Sequence, residues 1–168
     1  MDYVATLYSD SCIFSMLHYK GGFVPSLAQR MKTREWWRLE RHNYRMLSSL
    51  NTESELSRGE FAEQRLALAE ARRLPYLPAT RAVQNCTQIL LECRMFPIKS
   101  RADAVQLATA TIHTVDYLLT WDYTHLANKF VVDRIAALCK KYNWRAPQIV
   151  SPETILWTSM GQTIRRRE

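Results

Sequence analysis

Five short apolar segments alternate with helical patterns along this chain of 168 residues, and the alternation limits its fold more than any single motif does. The segments are residues 3–9 (YVATLYS), 44–50 (YRMLSSL), 75–78 (PYLP), 117–121 (YLLTW) and 147–151 (PQIVS). Helices are expected over 11–19, 26–42, a piece around Glu55, 60–72, 80–95, the stretch after Ser100, and 123–142. A closing helix is expected over 152–157, with Ser151 as its cap and Pro152 at its first position. The 123–142 stretch repeats Ala127, Val131, Ile135, Leu138 and Tyr142 at helical steps. Gly21 to Pro25 reads as a loop. Strands separated by helices do not pair as hairpins; they line up in parallel with helices on both faces. The expected class is therefore α/β, a three-layer α/β/α fold with a central parallel sheet. The proline-flanked 75–78 segment belongs at the sheet edge, because proline removes ladder donors.

Right-handed crossovers gather the carboxyl ends of the strands on one edge of such a sheet, where α/β folds bind their ligands. Asp10 follows the first segment there and Asp122 the fourth. Asp103 stands in the first turn of the helix after Ser100, and Glu55 lies in the helix after the second segment. Taken singly, Asp103 is accounted for by capping and the helix dipole, and Asp10 and Asp122 by capping the helix that follows each. Gathered together they repel, and each must then take a proton or share a cation. Asp10, Glu55, Asp103 and Asp122 are thus candidate ligands of a hard divalent ion, Mg2+ or Mn2+. Such an ion makes a nucleophile of water and neutralises charge on a phosphodiester. Ser11, Thr120 and Asn128 are placed to assist by hydrogen bonding, or to serve as ordinary capping and packing residues.

Net charge is +7, from 23 Lys and Arg against 16 Asp and Glu, which favours a polyanionic partner. The segment TREWWRLERHNYR brings Arg34, Arg38, Arg41 and Arg45 near a common face beside Trp36 and Trp37. Those tryptophans can stack on bases; packing against a core or a second copy is the commoner role. Residues 161–168, with Arg165 to Arg167, read as a solvated basic tail behind a single domain over 1–160. No apolar run approaches the roughly 20 residues that cross a bilayer, and the MDYVATLYSD start does not resemble a signal peptide. A soluble, cytoplasmic protein without a membrane partner is expected. Cys12, Cys86, Cys93 and Cys139 form no CxxC pair and read as reduced core residues. The four histidines, His113 and His125 among them, lie in no HExxH motif and read as core or surface residues rather than metal ligands.

Three stretches resemble one family. LYSDS resembles the strand and Asp-Ser/Thr pair that open the PIN-domain nucleases. NTESELSRG is similar to the family helix whose Glu precedes an apolar residue and a nearby Gly, which selects Glu55 and leaves Glu53 as the alternative. ADAVQLATA with HTVDYLLTWDYTHLAN carries Asp103 and Asp122 and is the most specific of the three. The order of acids looks like that of VapC-type toxins of toxin–antitoxin modules, over nearly the whole chain; the aromatic 19–45 segment is long for the family. The resemblance implies a PIN-like fold and a Mg2+- or Mn2+-dependent endoribonuclease that leaves a 5′-phosphate and a 3′-hydroxyl on RNA. It also implies a cognate antitoxin and a homodimer. The alternative is a catalytically inactive PIN-like module that binds nucleic acid or protein. A small-molecule phosphatase is disfavoured, since no DxDx[TV] motif follows the first segment.

Overall fold

A computed structural model describes residues 3–156. Its strands are β1 (Thr6–Ser9), β2 (Arg45–Ser49), β3 (Tyr76–Leu77), β4 (Tyr117–Leu119) and β5 (Gln148–Val150). They form one sheet in the order β3-β2-β1-β4-β5, with every pair parallel. Helices α1 (Ser11–His18) and α2 (Val24–Leu39) join β1 to β2, and α3 (Leu50–Arg58) and α4 (Gln64–Arg72) join β2 to β3. Helices α5 (Arg81–Glu92) and α6 (Arg101–Ile112) join β3 to β4, and α7 (Lys129–Tyr142) joins β4 to β5. Residues 152–156 are helical after β5. The result is a three-layer α/β/α fold, and β3 occupies the edge that its flanking prolines require.

Side chains alternate across the strands, so each strand feeds two cores. Tyr8, Leu47 and Leu118 face one layer and pack with Val83, Cys86 and Leu90 of α5, Leu107 and Ala108 of α6, and Ile135 and Cys139 of α7. Leu7, Leu119 and Val150 face the other, against Ile13, Trp36, Trp121, Ile155 and Leu156. A smaller cluster of Phe14, Leu56, Ala67 and Ala71 seats α4 against α1 and α3. From β1 the chain steps towards β2 and β3, then returns across the sheet to β4 and β5. The switch point therefore lies between β1 and β4, and their carboxyl ends form the crevice where such folds bind ligands. Asp10 N donates to Leu119 O at 3.0 Å and fixes that crevice's floor.

At the opposite edge Asp116 ties three strands together. Its carboxylate accepts from Thr6 N at 2.8 Å, Thr6 Oγ1 at 2.7 Å, Tyr3 Oη at 2.6 Å and an Arg145 guanidinium nitrogen at 2.6 Å. These donors hold its carboxyl well below the usual range, against the opposing effect of burial.

Several element bounds differ from the sequence expectation, each for a local reason. Residues 3–5 are not in β1, because the ladder begins at the Thr6–Arg45 pair; Tyr3 and Val4 are exposed. Helix α2 starts at Val24, since Pro25 in the first turn has no donor to lose there. Helix α5 stops at Glu92, where Arg94 turns left-handed (φ 50°) and Met95 N reaches back to Leu90 O at 3.1 Å. Residues 123–128 precede α7, which begins at Lys129 with Asn128 capping Phe130 N at 2.9 Å; Asn128 is a cap and not part of the site. The expected basic tail 161–168 and Trp157 lie outside the described residues. Among the described residues no helix is long and apolar enough to cross a membrane.

Candidate metal centre

The end of β1 delivers Asp10 into the crevice almost fully buried, at 6% exposure. A buried carboxylate has to be met by donors, and four surround it. Thr120 Oγ1 lies at 2.6 Å, Gln106 Nε2 at 2.8 Å, Cys12 Sγ at 3.1 Å and Ser11 Oγ at 3.2 Å. Thr120 Oγ1 also accepts from Asp122 N at 2.9 Å, so one hydroxyl links the residues that follow β1 and β4. Cys12 is therefore a site neighbour as well as a thiol packed against the second core. Burial and the Asp10 charge push it well above its usual range, and it stays a neutral donor. All four cysteines are free thiols, with Cys86 and Cys139 buried in the core.

Glu55 reaches the same place from α3. Its Oε2 accepts from Gln106 Nε2 at 2.6 Å, so one amide group of α6 holds two carboxylates. Burial first, then the Asp10 charge, push the Glu55 carboxyl up to about 7, against the opposing Gln106 hydrogen bond. Glu53 does not share the site. It faces α4 and β3, accepting from Arg72 Nε at 2.7 Å and Tyr76 Oη at 2.7 Å. Two residues along a helix turn the side chain by about 200°, so only one of the pair can face the crevice.

Asp103 and Asp122 complete the group. The Asp122 Oδ1 accepts from Thr124 N and His125 N, both at 2.9 Å, and closes a tight turn after β4. That turn carries His125 back over the site. Its Nδ1 lies 3.1 Å from Asp122 Oδ2 and 3.5 Å from Asp103 Oδ2. Burial, then Asp122 and then Asp10, push the Asp103 carboxyl up to about 6, with His125 opposing. Among the described residues no lysine or arginine forms an ion pair with any of the four acids.

The four sequence-predicted acids are thus neighbours at the carboxyl edge. Two residues that the sequence reading did not select join them, Gln106 and His125. Asp103, Asp122 and His125 each offer a ligand atom, all within 4.8 Å of one another, and could hold a metal ion. The donor set fits such an ion: two carboxylate oxygens and an imidazole nitrogen converge, Asp103 among them is raised, and the raised Glu55 crowds beside them. Gln106 Oε1 adds a buried acceptor without a hydrogen-bond partner. Tryptophan stacking on bases from α2 does not fit. Trp36 is fully buried, Trp37 packs edge-on against Phe14 and Trp36, and Arg45 belongs to β2 rather than to the helix.

No protein-family model matches the chain, and no curated protein matches it.

Proposed function

We propose that this protein is a divalent-metal-dependent endoribonuclease of the PIN type. The observation that supports this most is the convergence of Asp10, Glu55, Asp103 and Asp122 at the sheet's switch point without a lysine or arginine in ion-pair contact with them among the described residues. Asp103, Asp122 and His125 would hold the ion, with Asp10 and Glu55 beside it. A divalent ion bound there supplies Lewis-acid activation of water and neutralises charge on a phosphodiester. The protein's own residues set the protonation state. Glu55, raised to about 7, is poised to take a proton near neutral pH. Gln106 and Thr120 fix Asp10, so the carboxylates meet the substrate already oriented. The imidazole is a softer donor than a carboxylate and tilts the set from Mg2+ towards Mn2+ and other first-row ions. The net charge of +7 draws in the polyanion.

Incubation of a mixed RNA pool with Mn2+, Mg2+ or EDTA tests the reading. Cleavage leaving 5′-phosphates is expected with either ion and not with EDTA. Asp103→Asn is expected to lower the rate by about two orders of magnitude or more. Cleavage that survives EDTA, or full activity in Asp103→Asn, would remove the metal mechanism. The narrower form of the reading makes the chain the toxin of a two-protein module, with an antitoxin over this edge and a homodimer. A neighbouring short reading frame with a DNA-binding head is its first check.

A further inference from the structure

Immediately beside Asp122 lies an open cleft of about 370 Å3, within the range of small-ligand sites. Its aromatic wall is formed by Trp121 and Tyr123, the two chain neighbours of Asp122, and Met31 of α2 adds an apolar surface. Its polar lining is an amide (Gln29), an ammonium (Lys32) and a carboxylate (Glu153). Trp121 is fixed: its Nε1 donates to Thr33 Oγ1 at 2.8 Å, and Thr33 in turn donates to Gln29 O at 2.7 Å. Tyr123 stands edge-on to Trp121 with ring centroids 6.2 Å apart, and it remains 47% exposed. A rigid indole supporting a half-open phenol ring leaves a π-surface unused by the core.

Met31 and Lys32 also line a second, more open depression with Arg34, Glu35 and Arg38; Lys32 pairs with Glu35 at 3.1 Å, and the arginines leave a surplus of positive charge there. An aromatic wall with mixed donors and acceptors, opening onto a basic groove, suits a nucleotide better than a helical peptide, which needs a long apolar trough. We propose that the cleft is a nucleobase subsite. Tyr123 stacks on an unpaired base of the strand whose phosphodiester lies at the acids, Gln29 and Glu153 meet the base's polar edge, and the α2 cations hold the adjoining phosphates. This rests on the ribonuclease reading above. The base at Tyr123 must be unpaired, because a base within a duplex cannot present its face to the ring.

The test uses the full chain, with fluorescent homo-octamers of rA, rC, rG and rU titrated in Ca2+ and long RNA cleaved in Mn2+. Tyr123→Ala should weaken binding to the best octamer about tenfold or more, while Tyr123→Phe keeps wild-type affinity. Glu153→Gln should re-rank the four octamers. Equal octamer binding by wild type and Tyr123→Ala, with metal-dependent cleavage intact, overturns the subsite and leaves the nuclease standing. Wild-type protein that neither binds nor cleaves removes both. A wild-type dimer that Tyr123→Ala converts to monomer would assign the cleft to a second copy and overturn the proposal.

Discussion

Gln106 carries the most unusual load of any residue near the acids. It is fully buried, and its single NH2 group serves two carboxylates that would otherwise repel across the crevice. Hydrogen bonds to charged groups contribute about 1.5–3 kcal/mol each, so Gln106→Leu should destabilise the metal-free protein by roughly that amount at pH 8. At pH 5 the loss should be smaller, because Glu55 then carries a proton and the repulsion is gone. Chemical denaturation at the two pH values measures the difference. Equal losses would mean that Gln106 merely fills space. The sequence could not have pointed to this residue, whose neighbours in ADAVQLATA make a polar side chain read as a helix's wet flank. The end of β1 and helix α3 close onto α6 at this residue, as its bonds to Asp10 and Glu55 show. His125 was hidden differently: its approach depends on the Asp122 turn, which interrupts what reads as a continuous helix from 123. Asp10 and Asp122 were legible because a strand end fixes where they go, whatever the packing.

At the level of elements, the strands were legible in kind, while helix ends were legible at Ser11, Arg72 and Tyr142 but not at several others. Apolar period separates a strand from a helix, but the residue at which each begins is decided by caps and register. Asp116 illustrates the second kind of determinant. It immediately precedes β4, at the end of that strand opposite Asp122, and it sets the alignment of β1, β4 and the segment before β5 through Thr6 and Arg145. Asp116→Asn retains the shape but weakens the acceptor for four donors. It should cost roughly 1–3 kcal/mol of stability at neutral pH, read from urea unfolding. Any activity of the acid cluster, per folded molecule, should be unchanged, because that cluster is at the other ends of these strands. A variant as stable as wild type would show that the staple contributes nothing beyond the ladder hydrogen bonds.

For the molecule as a whole, the two edges of the sheet titrate in opposite senses. At the amino edge the folded Asp116 carboxyl is depressed, so its stabilisation is present above the unfolded carboxylate pKa of about 4 and is lost as pH falls through the folded value. At the carboxyl edge Asp103 is raised to about 6 and Glu55 to about 7. The fold binds more protons there than the unfolded chain does, so stability is fully present below about pH 4 and is lost as pH rises through 6 and 7. Metal-free protein should therefore be most stable near pH 4 to 5 and should melt several degrees lower at pH 8, since its crowded carboxylates are then ionised. A divalent ion held by Asp103, Asp122 and His125 would bind only the ionised cluster of the folded state, so its stabilisation would grow with pH. Thermal melts across pH 5 to 8, with EDTA or Mn2+, separate the contributions. Mn2+ should raise the melting temperature far more at pH 8 than at pH 5 and so flatten the alkaline decline. Asp103→Asn should lessen that decline without metal and shrink the Mn2+ shift. A wild-type melting temperature that rises with pH in EDTA, or a Mn2+ shift equal at both ends of the range, would show that these acids are not held together at the expense of the fold.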